Sequence, residues 1–326
     1  MIDVRTRCKF FKVSPMLAIL AITGPIFILI AVGFGAVRLR VLTTADMRAL
    51  GVFVINFALP SLLFTAMSAG SVTQTLRLDL LLPYALGSLA VVGLVVALAV
   101  TVLRRKLQIA AVLAMGMSVS NSAFIGFPIA QQLSPGTASA ALAVYAMVEA
   151  LIMFPLLMAL AELGGGSGRW PLVLRGIVLS LARNPMILAI LAGVALSALG
   201  LKLPLPAARA IELLGSTAAP VALFYIGGTL AGLKVKIAAG DIGLIVAGKL
   251  VLHPLLVYLA FLALPLDGAA LQTAAVLNAC MPMMSIYPIL AQKYGQEGLC
   301  AAALVATTVT SFFTISGFLW LSGAGG

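Results

Sequence analysis

Apolar residues run along this chain in long, nearly continuous segments, separated by short joints rich in charge, Gly or Pro. A helix needs roughly 20 such residues to cross a bilayer core, and at this residue pattern only helices satisfy their own backbone in lipid. The pattern predicts ten spans, at 16–37, 45–68, 79–103, 108–133, 137–162, 184–200, 207–232, 240–264, 269–293 and 298–322. The expected fold is an all-α integral membrane protein.

Composition agrees with that reading. The chain is 63% hydrophobic and 9% charged, with a mean hydropathy of +1.19, which a water-soluble domain of this length could not carry without aggregating. Arg5, Arg7, Lys9 and Lys12 ahead of an apolar run also fit a signal peptide, but the run from Met16 to Val37 is long for one, and Arg38 and Arg40 close it. The net charge of +11 does not indicate nucleic acid, because the 20 basic residues are scattered and form no stretch interleaved with aromatics.

Charge sets orientation instead. Twelve Lys and Arg follow odd-numbered spans, against seven on the other face, four of them in the N-terminal tail. By the positive-inside rule the odd-numbered joints are cytoplasmic, and both termini lie on the non-cytoplasmic side of a cell inner membrane. The basic tail argues against this, and a translation start at Met16 would reconcile the two; N-terminal sequencing that found residues 1–15 in the mature protein would remove that explanation. Cys8, Cys280 and Cys300 are odd in number and two lie inside spans, so they define no redox compartment.

Three pairs of motifs recur in the same order. Ala58-Leu59-Pro60-Ser61-Leu62-Leu63-Phe64 is echoed 160 residues on by Ala218-Ala219-Pro220-Val221-Ala222-Leu223-Phe224. Leu107-Gln108-Ile109-Ala110-Ala111-Val112-Leu113 is echoed 164 residues on by Leu271-Gln272-Thr273-Ala274-Ala275-Val276-Leu277, and Pro128-Ile129 is echoed by Pro288-Ile289 at 160. One such pair arises by chance between apolar segments; three at nearly one offset indicate a duplication. Each copy holds five spans, an odd number, so the second half enters the membrane in the opposite sense, as two inverted five-helix repeats. The expected division is 1–163 for the first repeat, 164–183 for a cytoplasmic linker and interfacial segment opened by Gly164-Gly165-Gly166-Ser167-Gly168, and 184–326 for the second repeat.

Spans four and nine carry polar residues and helix breakers at corresponding mid-depth positions. Ser118-Val119-Ser120-Asn121-Ser122 leads to Gly126-Phe127-Pro128 in one, and Asn278-Ala279-Cys280-Met281-Pro282 leads to Ser285-Ile286-Tyr287-Pro288 in the other. Pro128, Pro282 and Pro288 lack the N–H that the helix ladder needs, so they are expected to interrupt their helices. Broken helices 4 and 9 are expected to cross near the midplane, where a half-helix N-terminus attracts an anion such as a carboxylate. Ser120, Asn121, Ser122, Asn278 and Ser285 are the candidate substrate-binding residues on the two breaks.

Three ionisable side chains fall deep inside spans: Glu149 in the fifth, Lys249 and His253 in the eighth. Each needs a partner, a wet cavity or a role at that depth. Glu149 is either a proton carrier or a neutral, hydrogen-bonded acid. Lys249 and His253 lie four apart on one helical face and would present positive charge to an anion; the alternative for Lys249 is snorkelling or a structural bond to a broken-helix carbonyl, and for His253 a packed neutral residue. Asn56 in span two is expected to make a helix–helix hydrogen bond. With one histidine in the chain, and without H-E-x-x-H, G-x-S-x-G or a Walker loop, nothing indicates an enzyme, a metal site or a cofactor.

These residues resemble the auxin efflux carrier family of plant and bacterial transporters. Phe57-Ala58-Leu59-Pro60 with Leu63-Phe64 is similar to its second-span motif, Asn121 with Gly126-Phe127-Pro128 to its fourth-span crossover, Arg183-Asn184-Pro185 with Gly193 and Leu203-Pro204 to the start of its sixth span, and Pro282 with Ala291-Gln292-Lys293-Tyr294-Gly295 to its broken ninth span. The resemblance implies a scaffold of spans 1, 2, 6 and 7, a moving unit containing crossed spans 4 and 9, and an organic anion as substrate. It implies that Asn121 binds the substrate carboxylate, and it matches Lys249 to a basic position. The family's plant members have proline before the crossover asparagine where this chain has Ser120, and glutamine where it has Glu149, which makes proton coupling more plausible than their uniport. The plant members' long hydrophilic loop is absent, and the short-loop bacterial relatives are commonly labelled malonate or malate permeases.

The expected function is therefore alternating-access transport of a mono- or dicarboxylate such as malonate or malate, coupled to H+ or Na+, with membrane lipid and a second copy in a homodimer as further partners. A channel-like or receptor protein, or an efflux carrier for another organic acid, is the alternative.

Overall fold

The structure, a computed structural model, describes residues 15–69, 78–165, 175–176, 178–179, 182–232, 239–264 and 269–322. The basic N-terminal tail with Cys8, most of the linker between the halves, and the joints with Arg77, Lys234 and Lys236 lie outside the described residues. The described residues are almost entirely helical. They form α1 (Pro15–Arg38), α2 (Thr44–Ser68), α3 (Leu78–Thr101), α4 (Leu107–Ser118), α5 (122–133), α6 (Pro135–Gly164), α7 (Pro185–Ala198), α8 (Leu205–Gly232), α9 (Gly240–Ala263), α10 (Ala269–Ala279), α11 (Tyr287–Gln292) and α12 (Glu297–Leu321). Six of these, α2, α3, α6, α8, α9 and α12, are long and apolar enough to cross a membrane.

Local sequence sets the helix starts. Thr43 and Asp46 form a reciprocal capping box at the head of α2, Thr43 Oγ1 accepting from the Asp46 N–H at 3.2 Å and Asp46 Oδ2 from the Thr43 N–H at 2.7 Å. Asn184 caps α7 by accepting from the Met186 N–H at 3.0 Å, with Pro185 in the first turn, where its missing N–H costs nothing.

Proline inside a span acts differently. Pro60, Pro128, Pro155 and Pro254 each follow a wide π turn, Val54–Ala58, Ser122–Gly126, Glu149–Met153 and Gly248–Leu252. In each, the N–H just before the proline reaches back five residues, from Leu59, Phe127, Phe154 and His253 to the carbonyls of Val54, Ser122, Glu149 and Gly248. The proline ring would clash with the carbonyl four residues back and offers it no donor, so the turn widens by one residue and the helix continues.

Two blocks of packing place the site. In one, α1 lies along α8, α7 lies along the second half of α2, and α8 also meets α2. Backbones approach closely there: a Cβ added at Gly227 would stand 1.8 Å from the Ile30 carbonyl oxygen, and one at Gly33 would stand 2.0 Å from that of Phe224. Only glycine permits such an approach between membrane helices. In the other block α3 packs on α4 and α9, α6 on α4, and α11 on α12. Asn56 lies on the exposed side of α2 and bonds the Val52 carbonyl of its own helix at 2.9 Å, rather than a neighbouring helix.

Candidate solute-binding site

The helical segments at 107–133 and 269–292 are interrupted, and the interruptions touch. α4 ends at Ser118, and Val119 turns the chain extended (φ −104°, ψ 128°) before α5 begins at Ser122. α10 ends at Ala279, and helix resumes at Tyr287. Between them Ser120 and Met283 pair as one rung of an antiparallel ladder, and the Asn121 N–H donates to the Pro282 carbonyl at 2.8 Å. Each break thereby supplies part of what the other lost, which is how non-helical backbone survives at membrane depth.

The prolines have separate parts. Pro282 lies in its break and contributes the bonded carbonyl; Pro288 sits in the first turn of α11, where proline suits a helix start. Pro128 lies past its break, and its effect is the π turn of α5 rather than the interruption at 119–121.

Side chains knit the crossing together. Asn121 Oδ1 accepts from the Phe124 N–H at 3.3 Å, capping α5, while its Nδ2 donates to Ser285 Oγ at 2.9 Å. Asn278 Nδ2 donates to Ser122 Oγ and to the Tyr84 hydroxyl, both at 2.9 Å, and Ser122 Oγ donates to Glu149 Oε1 at 2.7 Å. Gly126 leaves room for this, since a Cβ there would fall 2.6 Å from Asn278 Oδ1.

On one side of the crossing lies a cavity of about 440 Å³, within the roughly 300–1,000 Å³ usual for small-molecule sites. Ser120, Asn121, Ser122, Glu149 and Ser285 line it. Its apolar walls include Ile55 and Leu59 of α2, Phe154 of α6 and Met186 of α7, so it lies between the two packing blocks. Arg183 and Asn184, just ahead of α7, complete its lining. Arg183 is the one basic side chain among the described lining residues, and sequence reading did not single it out for the site. Its signal was there in Arg183-Asn184-Pro185, read only as a helix start and a topogenic charge.

Lys249, His253 and Asn278 do not line this cavity. Lys249 is fully buried: its Nζ donates to Ser120 Oγ at 2.8 Å and to the Ala279 carbonyl at 3.0 Å, and lies 2.6 Å from His253 Nδ1. His253 Nε2 lies 3.0 Å from Ser88 Oγ. With Nδ1 accepting from Lys249, Nε2 is the protonated nitrogen and donates to Ser88. The expectation that Lys249 and His253 face the solute is corrected: their helix face turns toward the back of the crossing, and Lys249 ties both breaks to α9. The alternative of a bond to a broken-helix carbonyl describes it. Asn278 stands behind Ser122, against Tyr84, so it reaches the cavity only through a hydroxyl.

The polar centre draws on the π turns. Ser122 and Glu149 each open one, and Lys249 is the second residue of another. An extra residue in a turn rotates the following side chains by about 100° relative to an unbroken helix, which re-aims polar groups in an apolar bundle. Pro155 and Pro254, each lying inside an apolar segment a few residues after an ionisable side chain, were the sequence signals for two of these turns.

An apolar helical bundle with spanning-length helices and a polar cavity on a double helix break defines a multi-span membrane transport protein. The chain belongs to the membrane transport protein family, which it matches over residues 19–319, in agreement with the resemblance to auxin efflux carriers. It is 35% identical over 314 residues to a protein of Rhizobium meliloti (strain 1021) named "Putative malonate transporter", covering 93% of this chain and 97% of that one. It is 26% identical over 309 residues to the "Uncharacterized transporter YfdV" of Escherichia coli (strain K12), covering 91% and 95%. The family and these relatives are transporters, not enzymes.

Proposed function

We propose that this protein is a secondary carrier that moves a small organic anion, a mono- or dicarboxylate such as malonate or malate, across the inner membrane by alternating access. The observation that carries the reading is the cavity whose polar floor is formed by the crossing and whose rim holds Arg183. Asn121, Ser120, Ser122 and Ser285 offer hydrogen bonds to one carboxylate beside the head of α5. Arg183 offers the full charge and planar fork that suit a second carboxylate. The name of the Rhizobium meliloti relative supports the dicarboxylate class.

Ten spans in two inverted five-helix halves, 1–163 and 184–326 joined by 164–183, are the framework of this reading. The reciprocal pairing of α1 with α8 and α7 with α2 supports it, since the first span of each half lies against the second span of the other. Those four helices form the scaffold. The crossing, with α3, α6, α9 and α12, forms the unit that moves against it and exposes the cavity to alternate sides. Both termini lie on the non-cytoplasmic side.

Glu149 couples a proton to the solute. An ionised Glu149 about 4 Å from a bound carboxylate would cost about 4 kcal/mol at an effective dielectric of about 20, and a proton arriving with the anion removes that repulsion. Proteoliposomes supply the test. Saturable flux and counterflow of labelled malonate or malate, faster with an inward proton gradient, are expected; no protein-dependent flux of any mono- or dicarboxylate in either direction, under any ion gradient, sinks the assignment.

A further inference from the structure

A second cavity, of about 410 Å³, lies on the outer flank of α3, α4 and α9, away from the crossing's solute side. Its lining is wholly apolar, running from Leu94 to Leu103 on the α3 side and from Leu244 to Leu255 on α9, over a floor that includes the buried Leu113 and Met117 of α4. At 1.5 Å rise per residue those stretches measure about 14 and 17 Å. One leaflet of a hydrocarbon core roughly 30 Å thick is about 15 Å deep. The groove therefore has the length of one acyl chain lying along the membrane normal.

Its end is charged. Leu103 is followed at once by Arg104, Arg105 and Lys106, all exposed. Arg105 is held by Asp241 at 3.3 Å, three residues before Leu244, which anchors the cluster at the groove's mouth. Arg104 and Lys106 have no ion-pair partner among the described residues. Arg104 adopts φ 51°, the left-handed turn that ends the α3 segment and aims the chain into α4.

We propose that this groove is a binding site for an anionic glycerophospholipid, with one acyl chain against α3 and α9 and its phosphate on Arg104 and Lys106. Orientation alone would explain basic residues at this end of the bundle, but not an apolar groove of leaflet depth that ends on them. The lipid packs against Met117 and Gly248, which adjoin the Ser118–Ser120 turn and Lys249, so its chain supports the back of the crossing. This inference is independent of which solute is carried.

The test is native mass spectrometry of the full-length protein in detergent, with phosphatidylglycerol and phosphatidylcholine of identical acyl chains as probes. The parent is expected to retain one phosphatidylglycerol at collision energies that strip phosphatidylcholine. Arg104→Gln with Lys106→Gln is expected to lower that retained fraction at least threefold, and so is Ala247→Phe, which fills the groove from an exposed position. Arg40→Gln with Arg48→Gln, which removes the same charge elsewhere, is expected to leave it unchanged. Equal retention of the two lipids by the parent, an equal loss in the Arg40 and Arg48 pair, or full retention in the Arg104 and Lys106 pair overturns the proposal. If Ala247→Phe fails to fold, the two charge pairs still decide.

Discussion

Replacing Lys249 by methionine separates what its ammonium does for stability from what it does for the crossing. Three hydrogen bonds from a charged donor, to Ser120, Ala279 and His253, contribute about 1.5–3 kcal/mol each, or about 5–9 kcal/mol together. Taking the ammonium out of water costs several kcal/mol in the opposite direction. The two largely offset each other, so what a methionine of similar bulk costs is set by the buried acceptors it leaves unpaired. Lys249→Ala also leaves a void, at a further cost of about 2–5 kcal/mol. The local effect does not cancel. Methionine leaves the Ala279 carbonyl and His253 Nδ1 without this donor, at about 1–3 kcal/mol each, and frees Ser120 from α9. Both breaks loosen where the solute binds, so affinity is expected to fall tenfold or more, since about 1.4 kcal/mol is a factor of ten. Thermal unfolding of both variants, with equilibrium binding and counterflow in proteoliposomes, reads the two effects separately. A Lys249→Met protein that binds and transports like its parent would refute the positioning role, and equal destabilisation by Met and Ala would refute the packing argument.

Four further substitutions test the site and the scaffold. Asn121→Ala removes the cap on Phe124 and the bond to Ser285, about 1 kcal/mol each, so folded yield should hold while solute affinity falls about tenfold; unchanged transport rules the residue out. Glu149→Gln keeps an acceptor for Ser122 but carries no proton, so uptake that quickens as external pH falls in the parent should become flat with pH, and a variant that retained the parent's profile would exclude Glu149 as the coupling group. Arg183→Gln should raise the half-saturation concentration about tenfold for a dicarboxylate and much less for a monocarboxylate; an equal rise for both removes the second-carboxylate role. Gly227→Ala places a Cβ 1.8 Å from the Ile30 carbonyl oxygen, forcing α1 and α8 apart at a cost of at least about 2 kcal/mol, so an unaltered melting temperature would contradict the backbone contact.

Hydropathy alone located the six helices of spanning length, because in lipid the free energy of each side chain depends first on depth, and depth follows from position along an apolar run. The breaks near 119–121 and 280–286 were legible from the polar residues and prolines around them, although of Pro128, Pro282 and Pro288 only Pro282 lies in an interruption. The inventory of polar groups inside the bundle, Glu149, Lys249, His253, Asn278 and the break serines, could also be read directly. What each of them faces could not.

Lateral neighbours come from helices far apart in sequence: Lys249 meets Ser120 across 129 residues, and Asn278 meets Tyr84 across 194. Helical periodicity correctly put Lys249 and His253 on one face, but only packing turned that face toward the back of the crossing. The π turns compound the difficulty, because a widened turn shifts the faces that a 3.6-residue period would assign. Arg183 shows the same division. Its charge near the membrane surface was plain from the chain, yet its place on the cavity arises only because α7 lies against α2 and brings its first turn beside the crossing. The amino-acid sequence thus set depth, breakage and the supply of polar groups. The tertiary structure set which of those groups share a cavity, because lateral position depends on contacts between helices and not on how deep each one lies.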